Sequence, residues 1–316
     1  MDRPILKCLA GALALVILSS AAPASAARFS RSLTRGAEGP DVKELQVRVA
    51  GWFPNARQER LRIGGRFNWK TERALKTFQR AERLTVDGVA GPEVYEALKR
   101  LADGDDSTKH FDWSEFDQNY NSRCSAKANK YAGTFKGGPL PRVKVRENVR
   151  RLMWRLEALR ARGHGKPIGI NSGFRSTPYN KCIGGASLSQ HLYGNAADLR
   201  VVGANNRRTR DLARSGQFYG VGCYSVFTHN HLDLRLENHD LGAAQYWWWP
   251  EQDSRGRDLA DDGRPCWGEV ASKRAAAGML NALRASDPAG ASVVPTLEEV
   301  ARFKAQAEPF FHGLAD

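Results

Sequence analysis

Ten residues, Ser-Gln-His-Leu-Tyr-Gly-Asn-Ala-Ala-Asp at 189–198, constrain this chain more than any other segment. They contain His191 and Asp198, and His231 follows in a later apolar run. Imidazole and carboxylate are both zinc ligands, and a catalytic zinc usually takes three protein ligands while its fourth position holds water. A lone histidine is more often a core residue, but three ligand types together favour a metal site. We therefore predict one Zn²⁺ bound by His191, Asp198 and His231.

The spacing of these residues also predicts their local structure. The interval between His191 and Asp198 does not put both on adjacent helical turns, so a loop that leads into a strand suits them better. Gly194 permits the turn, and a strand is expected to begin at Asp198. A second strand is expected over residues 225–236, where alternation would place His229, His231 and Asp233 on one face.

The pattern S-x-H-x-x-G-x-A-x-D with a later H-x-H resembles the zinc D-Ala-D-Ala carboxypeptidases of the M15 peptidase family. The likeness extends upstream to residues 171–176 and 179–180, and it covers roughly residues 112–249. The resemblance implies that His191, Asp198 and His231 are the zinc ligands. It also implies that the substrate contacts are Arg175, Ser189 and Tyr179, with Arg175 acting as a catalytic cation.

The resemblance does not identify the residue that acts as the general acid or base. Enzymes of this group commonly carry Asp or Glu three residues before the last histidine ligand, and this chain has Thr228 there. His229 and Asp233 are the candidates for the acid/base role. We prefer His229, whose ordinary pKa suits proton transfer near neutrality. Asp233 would alternatively orient His231 through a hydrogen bond.

A separate module precedes this region, at residues 34–101. Apolar residues at helical spacing predict three short helices, the third beginning at Gly91-Pro92. The sequence motifs at residues 41–46, 78–81 and 84–92 closely resemble those of the peptidoglycan-binding domain that accompanies many wall hydrolases. The resemblance implies wall binding, with a plain helical spacer as the alternative. The short acidic stretch at 102–111 predicts a linker.

The expected fold class is α+β: a three-helix peptidoglycan-binding domain, then a small antiparallel-sheet zinc peptidase domain at residues 112–270. A helix over 145–162 should present an apolar stripe to the core of this domain. The tryptophans at 247–249 would pack in that core or rim a substrate groove. Residues 271–316 form a C-terminal extension without a predicted role.

The first 26 residues predict a secretory signal peptide. Basic Arg3 and Lys7 precede the apolar stretch 8–18, and small residues follow at 24–26. The apolar stretch is shorter than the roughly 20 residues that span a bilayer, so no membrane anchor is expected. The mature protein is therefore predicted to be secreted, to the cell wall or the periplasm.

The remaining cysteines form an even set in an oxidising compartment, which predicts two disulfides. Their pairing cannot be read from the sequence. We expect Cys182 with Cys223, which bracket the ligand segment, and Cys124 with Cys266, which would tie the ends of the catalytic domain.

The formal net charge of +14 favours an anionic partner. No nucleic-acid motif accompanies the basic residues, so an anionic cell-wall polymer is the preferred partner beside peptidoglycan, and a solvated basic surface is the alternative. We expect a peptidase that releases terminal D-Ala from peptidoglycan stem peptides. An endopeptidase or lytic enzyme that cuts inside stem peptides or cross-links is the close alternative. A catalytically silent wall-binding protein is a third reading, because Thr228 replaces the expected base.

Overall fold

The computed structural model describes residues 29–54, 60–118, 124, 131, 133–135, 138–223, 229–237 and 247–249. The predicted signal peptide and the C-terminal extension lie outside these residues. Within this part of the chain, no helix has both the length and the apolar character needed to cross a bilayer.

The N-terminal region contains the three predicted helices. They are α1 (Pro40–Val49), which continues into a 3-10 turn at Ala50–Trp52, α2 (Trp69–Ala81) and α3 (Pro92–Arg100). Helices α1 and α3 begin with proline, whose fixed φ and missing N–H suit the first helical turn. Asn68 caps α2 by accepting from the backbone N–H groups of Lys70 and Thr71. These signals explain where each of the three predicted helices begins.

The peptidase region is an α+β unit built on one five-stranded sheet, as the sequence predicts. Its helices and strands, in chain order, are α4 (Trp113–Phe116), β1 (Gly133–Phe135), β2 (Gly138–Leu140), α5 (Arg142–Arg162), β3 (Ile168–Ser172), α6 (Thr177–Cys182), β4 (Ala196–Val201), α7 (Asn206–Arg214), β5 (Gly220–Cys223), β6 (Asn230–Asp233) and β7 (Trp247–Trp249). Strands β1 and β2 form a separate hairpin. The sheet order is β3-β4-β6-β5-β7.

The small antiparallel sheet is confirmed for β3, β4, β6 and β5, and β7 adds to β5 in parallel. The strand expected over 225–236 is shorter, because the structure gives β6 only Asn230–Asp233 and the segment 224–228 lies outside the described residues. The tryptophans at 247–249 form the edge strand β7, and the description of this strand does not extend to their side chains.

Helix α5 carries the predicted apolar stripe, and it is buried on a second face as well. Val149, Leu152 and Leu156 belong to the peptidase core, whereas Trp154 and Ala158 belong to the core of the N-terminal region. The close approach is visible at Gly51, where an added Cβ would lie 2.7 Å from the Cβ of Ala158. The two regions are therefore packed against each other through one shared helix.

The segment 102–111, predicted as a linker, is folded where the two regions meet. Thr108 forms isolated bridges with Ala102 and with Phe111, and both Thr108 and Phe111 are buried. His110 binds Glu157 of α5 through its backbone N–H and its Nδ1, at 3.1 and 2.9 Å. This connection is a packed corner between the two regions.

The predicted disulfide pairing is wrong. Cys124 is bonded to Cys182, with their Cα atoms 5.9 Å apart, within the separation that a disulfide requires. This bond excludes both Cys182 with Cys223 and Cys124 with Cys266. The bracketing argument failed because disulfide partners are set by spatial proximity. Cys182 ends α6, and Cys223 ends β5, a strand that lies between β6 and β7.

Candidate metal centre

His191 is positioned by a short turn between α6 and β4. It lies in the 3-10 turn Gln190–Tyr193, and the Ser189 hydroxyl accepts from its backbone N–H at 3.4 Å. The turn ends at Gly194 with φ 73°, where a Cβ would lie 2.8 Å from the Val145 carbonyl oxygen. Only glycine fits both the left-handed backbone and this approach to α5, which confirms the role predicted for Gly194.

Asp198 and His231 are brought together by strand register. Asp198 of β4 lies directly opposite His231 of β6 in the antiparallel ladder. Directly opposed residues share a face of the sheet with their Cβ atoms about 5 Å apart, so the two side chains meet. Ala197, the preceding residue of β4, is fully buried in the peptidase core on the other face. The predicted transition from loop to strand is confirmed, but the strand begins at Ala196, two residues before Asp198.

The three predicted ligands converge at one buried point. His191 Nε2 lies 3.1 Å from His231 Nδ1 and 3.3 Å from Asp198 Oδ1, and the third side, from His231 Nδ1 to Asp198 Oδ1, is 3.2 Å. Ligands bound at about 2.0–2.1 Å in a tetrahedron lie about 3.3 Å from one another. The triangle therefore has the size of one face of a tetrahedral zinc site. Among the residues that the structure describes, these three side chains form a group whose potential ligand atoms all lie within 4.8 Å of one another.

Hydrogen bonds on the outer side of the triangle assign the imidazole tautomers. His191 Nδ1 lies 2.6 Å from the carbonyl oxygen of Gly173, which can only accept, so Nδ1 carries the proton and Nε2 faces the centre with its lone pair. His231 has the opposite arrangement, with Nε2 3.0 Å from Asp233 Oδ2 and Nδ1 facing the centre. Such outer contacts are the usual way in which metal-binding histidines are oriented.

Two arginines hold the carboxylates of this cluster. Arg175 donates through Nη2 to Asp198 Oδ2, which leaves Oδ1 directed at the two histidines, and through Nε to the Ser172 hydroxyl at 2.8 Å. Arg235 pairs with Asp233 Oδ2 at 2.6 Å. Each carboxylate therefore contacts one arginine and at least one imidazole of the cluster.

The pKa shifts follow from burial and from these charges. Burial, with the positive charge of Arg175, lowers the pKa of His191 to about 4, so its imidazole is neutral at neutral pH. Burial also disfavours charge on His231, but the hydrogen bonds to Asp198 and Asp233 outweigh it and raise its pKa. Burial alone would raise the pKa of Asp233, yet Arg235 and His231 hold it well below its usual value. Asp198 and Asp233 therefore favour positive charge at the His231 imidazole that lies between them.

The remaining predicted site residues have different settings. Arg175 is buried and contacts Asp198, one of the predicted ligands, and Tyr179 is buried in α6. Ser189 is the half-buried cap of the His191 turn. His229 is half-buried immediately before β6, and Thr228 lies outside the described residues. The substrate contacts predicted for Arg175, Ser189 and Tyr179, and the acid/base roles predicted for His229 and Asp233, stay predictions.

Three contributors were missed in the sequence. Gly173 acts through its backbone carbonyl, which no residue pattern reveals. Ser172 and Arg235 act by holding Arg175 and Asp233. A signal did exist for Arg235, because a cation two residues after an acidic residue at the end of a strand is placed to pair with it.

Comparisons with known proteins agree with this geometry. The family profile Peptidase M15 matches residues 122–233, and the profile Putative peptidoglycan binding domain matches residues 38–98. The zinc D-Ala-D-Ala carboxypeptidase of Streptomyces albus G is 36% identical over 192 residues, which is 61% of this chain and 69% of that protein. The chain belongs to the M15 peptidase family. The matched M15 region contains all three residues of the buried triangle and ends at Asp233.

Two further relatives match a smaller part of the chain. The spore cortex-lytic enzyme of Bacillus cereus is 37% identical over 78 residues, which is 24% of this chain and 28% of that protein. A crystal structure titled as the SleB N-terminal domain is 37% identical and covers 22% of this chain and 89% of that one, with a TM-score of 0.19. The M15 membership therefore rests on the Streptomyces enzyme.

Proposed function

We propose that this M15 peptidase is a zinc enzyme that hydrolyses peptidoglycan stem peptides and releases their terminal D-Ala. The observation that carries the proposal is the triangle of His191 Nε2, Asp198 Oδ1 and His231 Nδ1, with sides of 3.1 to 3.3 Å. The substrate is suggested by the name of the Streptomyces relative, a zinc D-Ala-D-Ala carboxypeptidase that is 36% identical over 192 residues. A bound zinc ion would supply a Lewis acid and lower the pKa of a water molecule toward neutrality.

The chain's own residues provide the rest of the chemistry. Arg175 carries a permanent charge beside Asp198 and is suited to a substrate carboxylate or to a developing oxyanion. His229 stands two residues before His231 and is the proposed acid/base group. Asp233 is committed to His231 and Arg235, which suits a positioning role better than proton transfer.

The products distinguish the candidate activities. Incubation of the mature protein with defined stem peptides, with and without a chelator, should release free D-Ala only without the chelator, as measured by mass spectrometry. Internal fragments would instead identify an endopeptidase or lytic enzyme. Intact peptide in the presence of bound zinc would identify a silent wall-binding protein.

The role of His229 is tested separately from metal binding. His229→Ala should keep zinc and lose about 10²- to 10⁴-fold in turnover, because it removes the acid/base group and no predicted ligand. Zinc content and kcat are measured on the same preparation. Full activity in this variant would transfer the acid/base role to Asp233 or to another group.

We further propose that the N-terminal domain contacts the wall through a groove along α2. The groove has a volume of about 470 Å³ and includes four cations and one carboxylate. Trp69 in its wall is 44% exposed, and an exposed indole can pack on the apolar face of a sugar ring. The lining residues are Arg35, Pro54, Trp69, Glu72, Arg73, Lys76, Thr77 and Arg80.

Binding to purified wall tests this groove. Trp69→Ala should weaken sedimentation with peptidoglycan by about 5- to 30-fold, if the indole contributes 1–2 kcal/mol of contact energy. Val86→Ala is the matched control, because Val86 is an equally exposed apolar residue of the same domain that does not line the groove. Repeating the assay on wall stripped of anionic polymer shows which polymer is recognised. Equal binding by both variants would place the contact elsewhere.

We also propose that the protein acts outside the cytoplasm, at the cell wall or in the periplasm. The predicted signal peptide and the Cys124–Cys182 disulfide support this location, because disulfides persist in oxidising compartments. Fractionation of the producing cells with a C-terminal tag would test it.

A further inference from the structure

We propose that Arg155 is a positioning residue for the metal centre, because it holds the segment after His231 against the peptidoglycan-binding domain. The inference rests on the proposed zinc site and goes beyond it: the N-terminal domain would be part of the structure that keeps the ligands in place. Arg155 acts on the metal centre through the backbone that follows β6, and it is not itself a ligand or a substrate contact.

The first step is the position of Arg155 between the two domains. It lies on α5 beside Trp154, whose side chain belongs to the core of the N-terminal domain. The Arg155 side chain is fully buried, with 0% exposure. One nitrogen, Nη1, donates to the backbone carbonyl of Val47 at the end of α1, at 3.1 Å. A buried arginine therefore connects α5 directly to the peptidoglycan-binding domain.

The second step is the other end of this side chain. Arg155 Nη2 pairs with Glu237 Oε1, and the Glu237 side chain is 6% exposed. Glu237 closes the 3-10 turn that begins at Arg235, and its backbone N–H donates to the Leu234 carbonyl at 2.9 Å. Because breaking a buried ion pair leaves an uncompensated charge, this contact fixes the turn strongly.

The third step connects that turn to the ligand. Arg235 at its start pairs with Asp233, and Asp233 accepts from His231 Nε2 at 3.0 Å. The contacts therefore run from the Val47 carbonyl through Arg155 and Glu237 to the turn, and from there through Asp233 to His231. Contacts that orient a ligating histidine commonly change metal affinity by 10- to 100-fold.

A buried ion pair between α5 and α1 provides a matched control. Arg150 of α5 binds Glu44 of α1 through two parallel hydrogen bonds of 2.9 and 2.8 Å. This pair joins α5 to α1, as the hydrogen bond from Arg155 to the Val47 carbonyl does, and its side chains are only 9% and 7% exposed. Its partners are Glu44 and Glu147, neither of which belongs to the segment after His231. Loss of this pair should weaken the interface without reaching the metal centre.

The experiment compares Glu237→Gln with Glu44→Gln in the full-length mature protein. The measured quantity is the zinc dissociation constant, obtained by competition with a chelator of known affinity at a temperature where circular dichroism shows each variant folded. We expect about a 10-fold increase for Glu237→Gln and less than a 2-fold change for Glu44→Gln, even if both variants lose similar thermal stability. Equal zinc affinities in the two variants would show that Arg155 is merely structural and would overturn the proposal.

A second variant covers the case in which Glu237→Gln does not fold. Arg155→Met combined with Glu237→Met removes both charges, so neither ion is left buried alone. It should also bind zinc about 10-fold more weakly, and wild-type affinity in this double variant would overturn the proposal. If the wild-type protein binds zinc but hydrolyses no stem peptide, the proposed activity fails while the positioning role stands. If the wild-type protein binds no zinc, both fail.

Discussion

The two domains bury polar side chains for different purposes. In the peptidoglycan-binding domain, the fully buried Gln46 uses every hydrogen-bonding position of its amide. Its nitrogen donates to the Arg66 carbonyl and the Thr71 hydroxyl, each at 2.9 Å, and its oxygen accepts from the N–H groups of Gly64 and Gly65 at 3.0 and 2.8 Å. Donors and acceptors match, so this cluster is complete without a ligand.

The buried cluster of the M15 domain is not matched in this way. His191 Nε2, Asp198 Oδ1 and His231 Nδ1 all offer lone pairs to the same point when the histidines are neutral. Converging acceptors are unfavourable in a dry interior unless a cation joins them. A buried polar group whose partners are complementary therefore stabilises a fold, whereas converging groups of one kind indicate a ligand.

The largest expected effect tests the converging cluster. His191→Ala and His231→Ala should each weaken zinc binding by about 1,000-fold or more and abolish hydrolysis, because two ligands replace three. Metal content after dialysis and chelator competition measure the loss. His164→Asn is the control, because His164 is exposed with φ 56°, a conformation that asparagine tolerates. Zinc retained at wild-type affinity by either variant would show that the converging cluster is not the metal site.

The second prediction tests the matched cluster. Gln46→Ala should destabilise the protein by about 3 kcal/mol, because the fully buried amide makes four hydrogen bonds that are each worth roughly 0.5–1.5 kcal/mol. Zinc affinity should not change. Urea unfolding measures the first effect and chelator competition the second, with the exposed Glu96→Ala as a control on α3. An altered zinc affinity would mean that this cluster also serves the metal centre.

The smallest effect concerns the support around the ligands. Asp233→Asn keeps the size of the side chain but removes its charge, so zinc affinity should fall by about 10- to 100-fold while the ligand set stays intact. Chelator competition measures the change. Asp211→Asn is the control, because that exposed carboxylate of α7 pairs with the buried Arg210 and lies outside the ligand cluster. If both variants bind zinc as the wild type does, the contact between Asp233 and His231 contributes nothing to affinity.

Local signals in the sequence were sufficient for much of the fold. The proline at the first turn of α3 and the apolar stripe of α5 are short-range features, and the structure confirms the helices they predict. Gly194 belongs to the same class, because its left-handed conformation is a local requirement. The three predicted ligands also lie together in the structure, as their residue types and spacing predict.

Long-range partners could not be predicted in the same way. The Cys124–Cys182 disulfide, the parallel addition of β7 and the packing of both domains on α5 each join segments that are distant in sequence. Nothing within a short window distinguishes Cys182 bonded to Cys124 from Cys182 bonded to Cys223. The segment at 102–111 is polar, which favours a linker by composition, yet its burial depends on the surface of α5 beside it.

The sequence by itself determined which side chains could bind a metal, where the helices begin and which family the chain resembles, because these depend on residue type and on neighbours within a few positions. The tertiary structure alone decided which atom of each imidazole faces the centre, which cysteines are bonded and how the domains meet. Each of these depends on the distance between atoms of residues that are far apart in the sequence. Differences of about an ångström in that distance decide the outcome. Hydrogen bonds and ligand bonds discriminate at that scale, and the order of residues along a chain does not encode it directly.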